Sequence, residues 1–123
     1  MKGCIVALLI IVLLISAVAG NAAYVHHVTE VLMEGLESLP GEIDPAQTPA
    51  AVATVREGFE RHVPLLSLTV PYTVLDRVIE SLWLLEVQAA EGDALHYAST
   101  LALLKTLAKE IARLERLSVE NLL

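Results

Sequence analysis

Seventeen uncharged residues, Gly3 to Ala19, follow a single Lys2 and contain no proline. No other segment constrains the architecture of the chain as strongly. At a rise of 1.5 Å per residue they form a helix of about 25 Å, the low end of what crosses a bilayer. Eleven of these positions are Leu, Ile or Val. Each favours insertion by roughly 0.3–0.6 kcal/mol, so their sum outweighs the lone Ser16. Residues 1–23 are assigned on this basis as an N-terminal transmembrane anchor, and residues 24–123 as the domain it carries.

Cleavage is the alternative. Ala17-Val18-Ala19 before Gly20 meets the small-x-small requirement of a secretory signal. Against it, the apolar run exceeds the 7–15 residues of a signal core and continues through Ala22, Ala23, Tyr24 and Val25 past Gly20 and Asn21. Tyr24 stands where an interfacial aromatic anchors a spanning helix. Lys2 and the terminal amine precede the span, and the next basic residue is Arg56. This asymmetry predicts an N-terminus in the cytoplasm and an extracytoplasmic domain.

That domain is large enough for one core and too small for two. It carries fifteen acidic residues and, Lys2 aside, seven basic ones, a formal charge near −8. Such a surface excludes nucleic acid as a partner, because binding phosphates needs net positive faces. The only cysteine, Cys4, lies in or beside the span, so no intramolecular disulfide is available and packing alone must hold the fold. Cys4 itself reads as a small apolar residue at a helix end.

Helical periodicity runs through the remainder. Val25, Val28, Val31/Leu32 and Leu36 repeat at helical spacing and predict that the anchor continues as one helix until Pro40-Gly41. Thr48-Pro49 predicts a helix start, with the hydroxyl as cap and proline in the first turn. That helix turns Val52, Val55, Phe59 and Val63 inward and leaves the pairs Arg56/Glu60 and Glu57/Arg61 on its solvent side. Pro64 and Pro71 bracket a kinked helix ending and turn. The next helix carries Leu75, Val78/Ile79, Leu82, Leu85 and Ala89, stops at Gly92, and is followed by one that Asp93 caps. The last helix repeats Tyr97, Leu101, Leu104, Leu107, Ile111 and Leu114, with a break expected near Ser118. The fold class that follows is all-α: a single N-terminal transmembrane helix continuing into a small antiparallel bundle of about four helices.

No constellation carries a reaction. His26 and His27 are adjacent, and His62 and His96 lie on separate segments, with no His-x-x-x-His or Glu-x-x-His spacing. Neither a metal nor any other cofactor is therefore expected. The serines and threonines lack a glycine elbow or a neighbouring base, and the carboxylates fall at the spacing of solvated helix faces. The chain is not expected to be an enzyme.

Three features are candidates for interaction. Lys105, Lys109, Arg113 and Arg116 form a basic stripe on the last helix, and Glu30, Glu34 and Glu37 form an acidic stripe on the first. Solvated faces account for both at well under 1 kcal/mol per exposed pair. The functional reading is that they face each other, or the same stripes on a partner or a second copy. Trp83, amid Leu82, Leu84 and Leu85, reads as packed within the bundle, with a partner surface as the alternative.

The layout resembles an uncharacterised family of small bacterial membrane-anchored helical proteins, domain-of-unknown-function family 4363, over the whole chain. The likeness rests on the Lys-led anchor, a helix near Tyr24 to Leu36, the stretch Leu75-Asp76-Arg77-Val78-Ile79-Glu80, the run Glu91-Gly92-Asp93 with Tyr97, the leucine-rich last helix, and the closing Leu114-Glu115-Arg116-Leu117-Ser118-Val119-Glu120-Asn121-Leu122-Leu123. It departs at Phe59, where members carry tryptophan, and at Val70-Pro71-Tyr72, where they carry histidine. The resemblance implies an uncleaved anchor and an all-helical exported part, and it supplies no activity. Leu117, Ser118 and Asn121 are then a candidate structural motif, with Asn121 latching the last helix through its side chain. The expected function is a membrane-tethered, extracytoplasmic helical module that binds another membrane or envelope protein. A self-associating structural component of the envelope or spore surface is the second reading, and a helical domain released after signal cleavage is the third.

Overall fold

The first helix, α1 (Lys2–Ser38), runs for 37 residues without interruption at Gly20 or Asn21. The computed structural model describes residues 2–122, with the side chains of Ser118, Val119 and Leu122 outside that description. The remaining elements are α2 (Thr48–Glu60), a single turn α3 (Val63–Leu66), α4 (Tyr72–Glu91) and α5 (Ala94–Leu122). The described residues are all helix and connecting turns, with no strand.

Two environments divide α1. From Gly3 to Ala17 every side chain is exposed, and α1 is long and apolar enough to cross a membrane. From Val25 onward the same helix turns Val28, Leu32 and Leu36 into the core. The boundary expected at residue 23 thus falls inside a continuous helix.

Around that upper half, α5, α4 and α2 follow in turn as antiparallel neighbours. The register of α1 against α5 is pinned at both ends. Tyr97 donates its hydroxyl to the Pro40 carbonyl at 3.2 Å, and Asn21 donates to Glu115 at 3.3 Å. Burial of Tyr97 pushes its phenol pKa up, which keeps the hydroxyl proton in place for that bond. Leu75, Val78, Leu82, Leu85 and Ala89 of α4, with Leu104, Ala108 and Ile111 of α5, fill the centre. All of these but Ala108 belong to the inward set that the periodicity predicts, and of that set Leu101 and Leu114 are only partly buried.

The ends of the helices follow local chemistry. Gly92 stops α4 with φ of 71°, a left-handed conformation that glycine adopts without steric penalty. Asp93 then caps α5: its Oδ1 accepts the His96 amide at 3.2 Å. Its Oδ2 meets His96 Nδ1 at 2.6 Å. The backbone bond, reinforced by the His96 side chain, holds the Asp93 carboxyl below its ordinary value. A lowered pKa means the cap stabilises the fold above the unfolded-state value of about 3.9 and is lost as pH falls through and below it. Asp93→Asn should therefore flatten the acid limb of a stability-versus-pH curve. An unchanged acid limb would show that the carboxylate contributes nothing.

Three local expectations are corrected. Thr48 is the first residue of α2 and not its cap, because the turn from Asp44 to Gln47 winds directly into the helix. Its buried hydroxyl accepts the Asp44 amide at 2.9 Å. The break expected near Ser118 is absent, and the α5 backbone continues to Leu122. Arg56 does not lie on the solvent side; it is buried, for the reason given next.

Candidate interaction surfaces

Arg56 is covered because α4 brings Trp83 across it. The guanidinium carbon lies 3.5 Å from the indole centroid. Nε reaches Glu86 and Nη1 reaches Glu60, both at 3.4 Å. Trp83 thus does pack within the bundle, while its other side remains half exposed. The planar guanidinium can stack and reach two carboxylates at once, and an ammonium cannot. Arg56→Lys should cost about 1 kcal/mol in chemical denaturation, the scale of a partly desolvated cation–π contact. Equal stability of the two proteins would remove the stack as a stabilising element. The other predicted pair on α2 does not form in that way, since Arg61 Nε instead approaches the Glu57 backbone carbonyl at 3.4 Å.

A belt of polar contacts encircles α1 where its exposed apolar run stops. Asn21 Nδ2 donates to Thr69 Oγ1 at 3.0 Å as well as to Glu115. One turn further on, the Tyr24 hydroxyl lies 2.8 Å from His62 Nδ1, with the two rings edge to face. Two segments distant in sequence, the α2–α4 connection and α5, are so tied to one level of α1. Sequence reasoning treats Asn21 only as an interruption of the apolar run. A lone amide at the end of such a run was the signal available.

The ring of helices is open between α1 and α2. Between α1 and α2 contact is sparse, and a groove of about 410 Å³ runs along the pair. Its walls are mostly apolar and include Val31, Leu32, Val55 and Phe59, with Gly35, Ala51 and Gly58 opening it. The helices come close at Gly35, where a Cβ would lie 3.2 Å from a Val55 methyl. A second apolar area, on the outer side of α4, exposes Leu84 and Val87 beside Trp83.

No protein-family model, curated protein or solved structure matches this chain.

The two charged stripes do not pair with each other within ion-pair distance among the described residues. Glu30 meets His26 on its own helix at 2.9 Å, and Arg113 meets Glu110 on its own at 3.1 Å. Lys109 and Arg116 are exposed and Lys105 half-buried, and Glu34 and Glu37 are exposed. The antiparallel register accounts for part of the separation: it brings Lys105 roughly level with Glu30, which is paired with His26 instead, and offsets the rest of the two stripes. Arg113 and Arg116 flank Glu115, which touches Asn21, while Glu34 and Glu37 approach the other end of α1, where Pro40 meets Tyr97. Asn121 is exposed and makes no side-chain hydrogen bond among the described residues; the Ser118 side chain of the same motif lies outside them.

Charge is sorted along the bundle as a result. The end remote from the apolar run is formed by residues 34–55 and 87–104, which meet where Gly92 approaches Pro45. Those segments hold Glu34, Glu37, Glu42, Asp44, Glu91 and Asp93 and not one Lys or Arg. All seven basic residues beyond Lys2 lie outside them, with Arg56 and Lys105 immediately at their borders.

Proposed function

We propose that this chain is a single-pass membrane protein whose extracytoplasmic helical bundle binds another membrane or envelope protein. One observation carries the reading: α1 exposes an unbroken apolar surface over its first half, then becomes a buried wall of the bundle without a break. Exposed Leu and Ile on a lone helix have no partner in the chain, and a bilayer is the solvent that suits them. The positive charge of Lys2 favours the cytoplasm for the N-terminus and the outside for the bundle. The resemblance to a family of small bacterial membrane-anchored helical proteins fits the same arrangement.

The binding half of the proposal rests on the open seam between α1 and α2. An apolar groove between helices is a common docking place for a further helix. A partner helix and a second copy of this chain are the two occupants to be told apart. Gly58 faces the groove with no atom within 4 Å of where a Cβ would stand. Gly58→Leu therefore fills the seam, while removing a helix-weakening glycine worth about 0.5–1 kcal/mol. The variant is expected to be at least as stable and to lose its association.

Three measurements test the reading. In bacterial spheroplasts, protease added outside should degrade the bundle and leave the anchored N-terminal fragment in the membrane. N-terminal sequencing that finds a start at Gly20 would end the anchor. Cross-linking of the membrane-embedded protein before and after Gly58→Leu reports the association. Identical cross-linked species in both would remove the seam from it.

A further inference from the structure

We infer that the turn joining α2 to α4 is a second membrane contact, with Leu65, Leu68 and Tyr72 seated at the acyl–headgroup boundary of the outer leaflet. The inference rests on the membrane-anchored reading of α1.

Three independent observations lead to it. The first is height. Thr69 hydrogen-bonds Asn21 at 3.0 Å, and His62 meets Tyr24. The segment between them is thereby tied to α1 at the level where the exposed apolar run ends. It links the last residue of α2 to the first of α4, so the bundle covers it from above and its free side is the one toward the bilayer.

The second is the sorting of side chains within the turn. Leu66 and Val70 are buried, at 1% and 4% exposure, whereas Leu65, Leu68 and Tyr72 show 57%, 75% and 61%. Such a cluster in so short a segment is unexplained in water. At a membrane surface it is expected, and a tyrosine there suits the interfacial zone. Much of the backbone is paired internally: Ser67, Leu68, Thr69 and Val70 donate to Val63, Leu65 and Leu66 carbonyls, which lowers the cost of entering the interface.

The third is length. The stretch of α1 whose side chains are all exposed, Gly3 to Ala17, reaches about 22 Å against a hydrocarbon core of about 30 Å. A span that is too short draws flanking apolar surface into the bilayer or thins it. The turn supplies that surface on the side of α1 where Asn21 and Thr69 meet. The charge distribution agrees in one respect: the all-acidic tip points away from anionic headgroups.

The test uses the full chain carrying Cys4→Ser, reconstituted in vesicles of phosphatidylcholine and phosphatidylglycerol. A spin label is attached in turn to Leu9→Cys, Leu68→Cys and Leu95→Cys. Leu95, at the far end of the bundle, is as exposed as Leu68. Collisions with oxygen, which concentrates in lipid, are compared with collisions with a water-soluble nickel chelate. The expected result is a severalfold higher oxygen-to-nickel ratio at Leu68 than at Leu95, approaching that at Leu9. A lipid-like ratio at Leu9 with equal, water-like ratios at Leu68 and Leu95 overturns this contact and leaves the anchor intact. Water-like ratios at all three overturn both.

Discussion

Leu82→Ala is expected to lower the stability of the bundle by about 3 kcal/mol, and Leu84→Ala, two positions along the same helix, by no more than about 0.5 kcal/mol. The chemistry removed is identical. What differs is where the methyl groups were. Leu82 is fully buried on α4, the helix in contact with both α2 and α5, whereas Leu84 is half exposed on the outer side. Deleting Leu82 leaves a void that a close-packed interior cannot collapse to fill, so the lost contacts add to the lost transfer energy. Deleting Leu84 removes contacts that water replaces. Denaturant unfolding of the full chain in detergent, followed by helical circular dichroism, measures both. Equal losses would mean that the inward face of α4 is assigned wrongly. Leu84→Ala also probes the outer apolar area, since an occupant there loses contact while the fold does not.

The second large effect concerns the anchor. Leu9→Arg combined with Ile11→Arg is expected to abolish membrane retention, while either substitution alone only weakens it. The eleven Leu, Ile and Val residues together favour insertion by about 3–7 kcal/mol, and one arginine near the helix centre opposes it by about 2.5–3.5 kcal/mol. Two arginines match the whole driving force; one does not. Both positions are exposed and touch nothing in the bundle, so the folded part should unfold at the same denaturant concentration as before. Alkaline carbonate extraction separates retained from released protein. Retention of the doubly substituted chain would show that something other than the apolar run holds it.

Most of the fold is legible in the sequence because helix faces are written locally. The inward residues of α4 and α5 repeat at the helical period, Gly92 and Asp93 punctuate them, and both act as that pattern requires. Arg56 shows where local reading stops. Its spacing to Glu60 is the same whether the face they share is wet or covered, and what decides the matter is Trp83 on another helix. Thr48 is a similar case: a hydroxyl before proline is a good cap, but the turn from Asp44 already supplies the entry to the helix. At Ser118 no glycine or proline follows to stop α5, and serine alone does not break a helix that is already propagating. The candidate surfaces were the least legible. The stripes of Lys105 to Arg116 and Glu30 to Glu37 are plain in the sequence, yet their offset is set by the register of α1 against α5. The seam between α1 and α2 exists only because two helices that follow each other in sequence barely touch.

The unbroken course of α1 has a mechanical consequence. The helix continues unbroken through Gly20 and meets no proline between the apolar half and the half that walls the bundle, so it acts as a shaft. Rotating it about its own axis in the membrane turns the seam to face a different direction. Tilting it by about 20°, the average for spanning helices, swings a point some 25 Å further along by about 9 Å. On the anchored reading, a neighbour gripping the apolar half of the shaft would aim the half that walls the bundle, with no signal passing through the core.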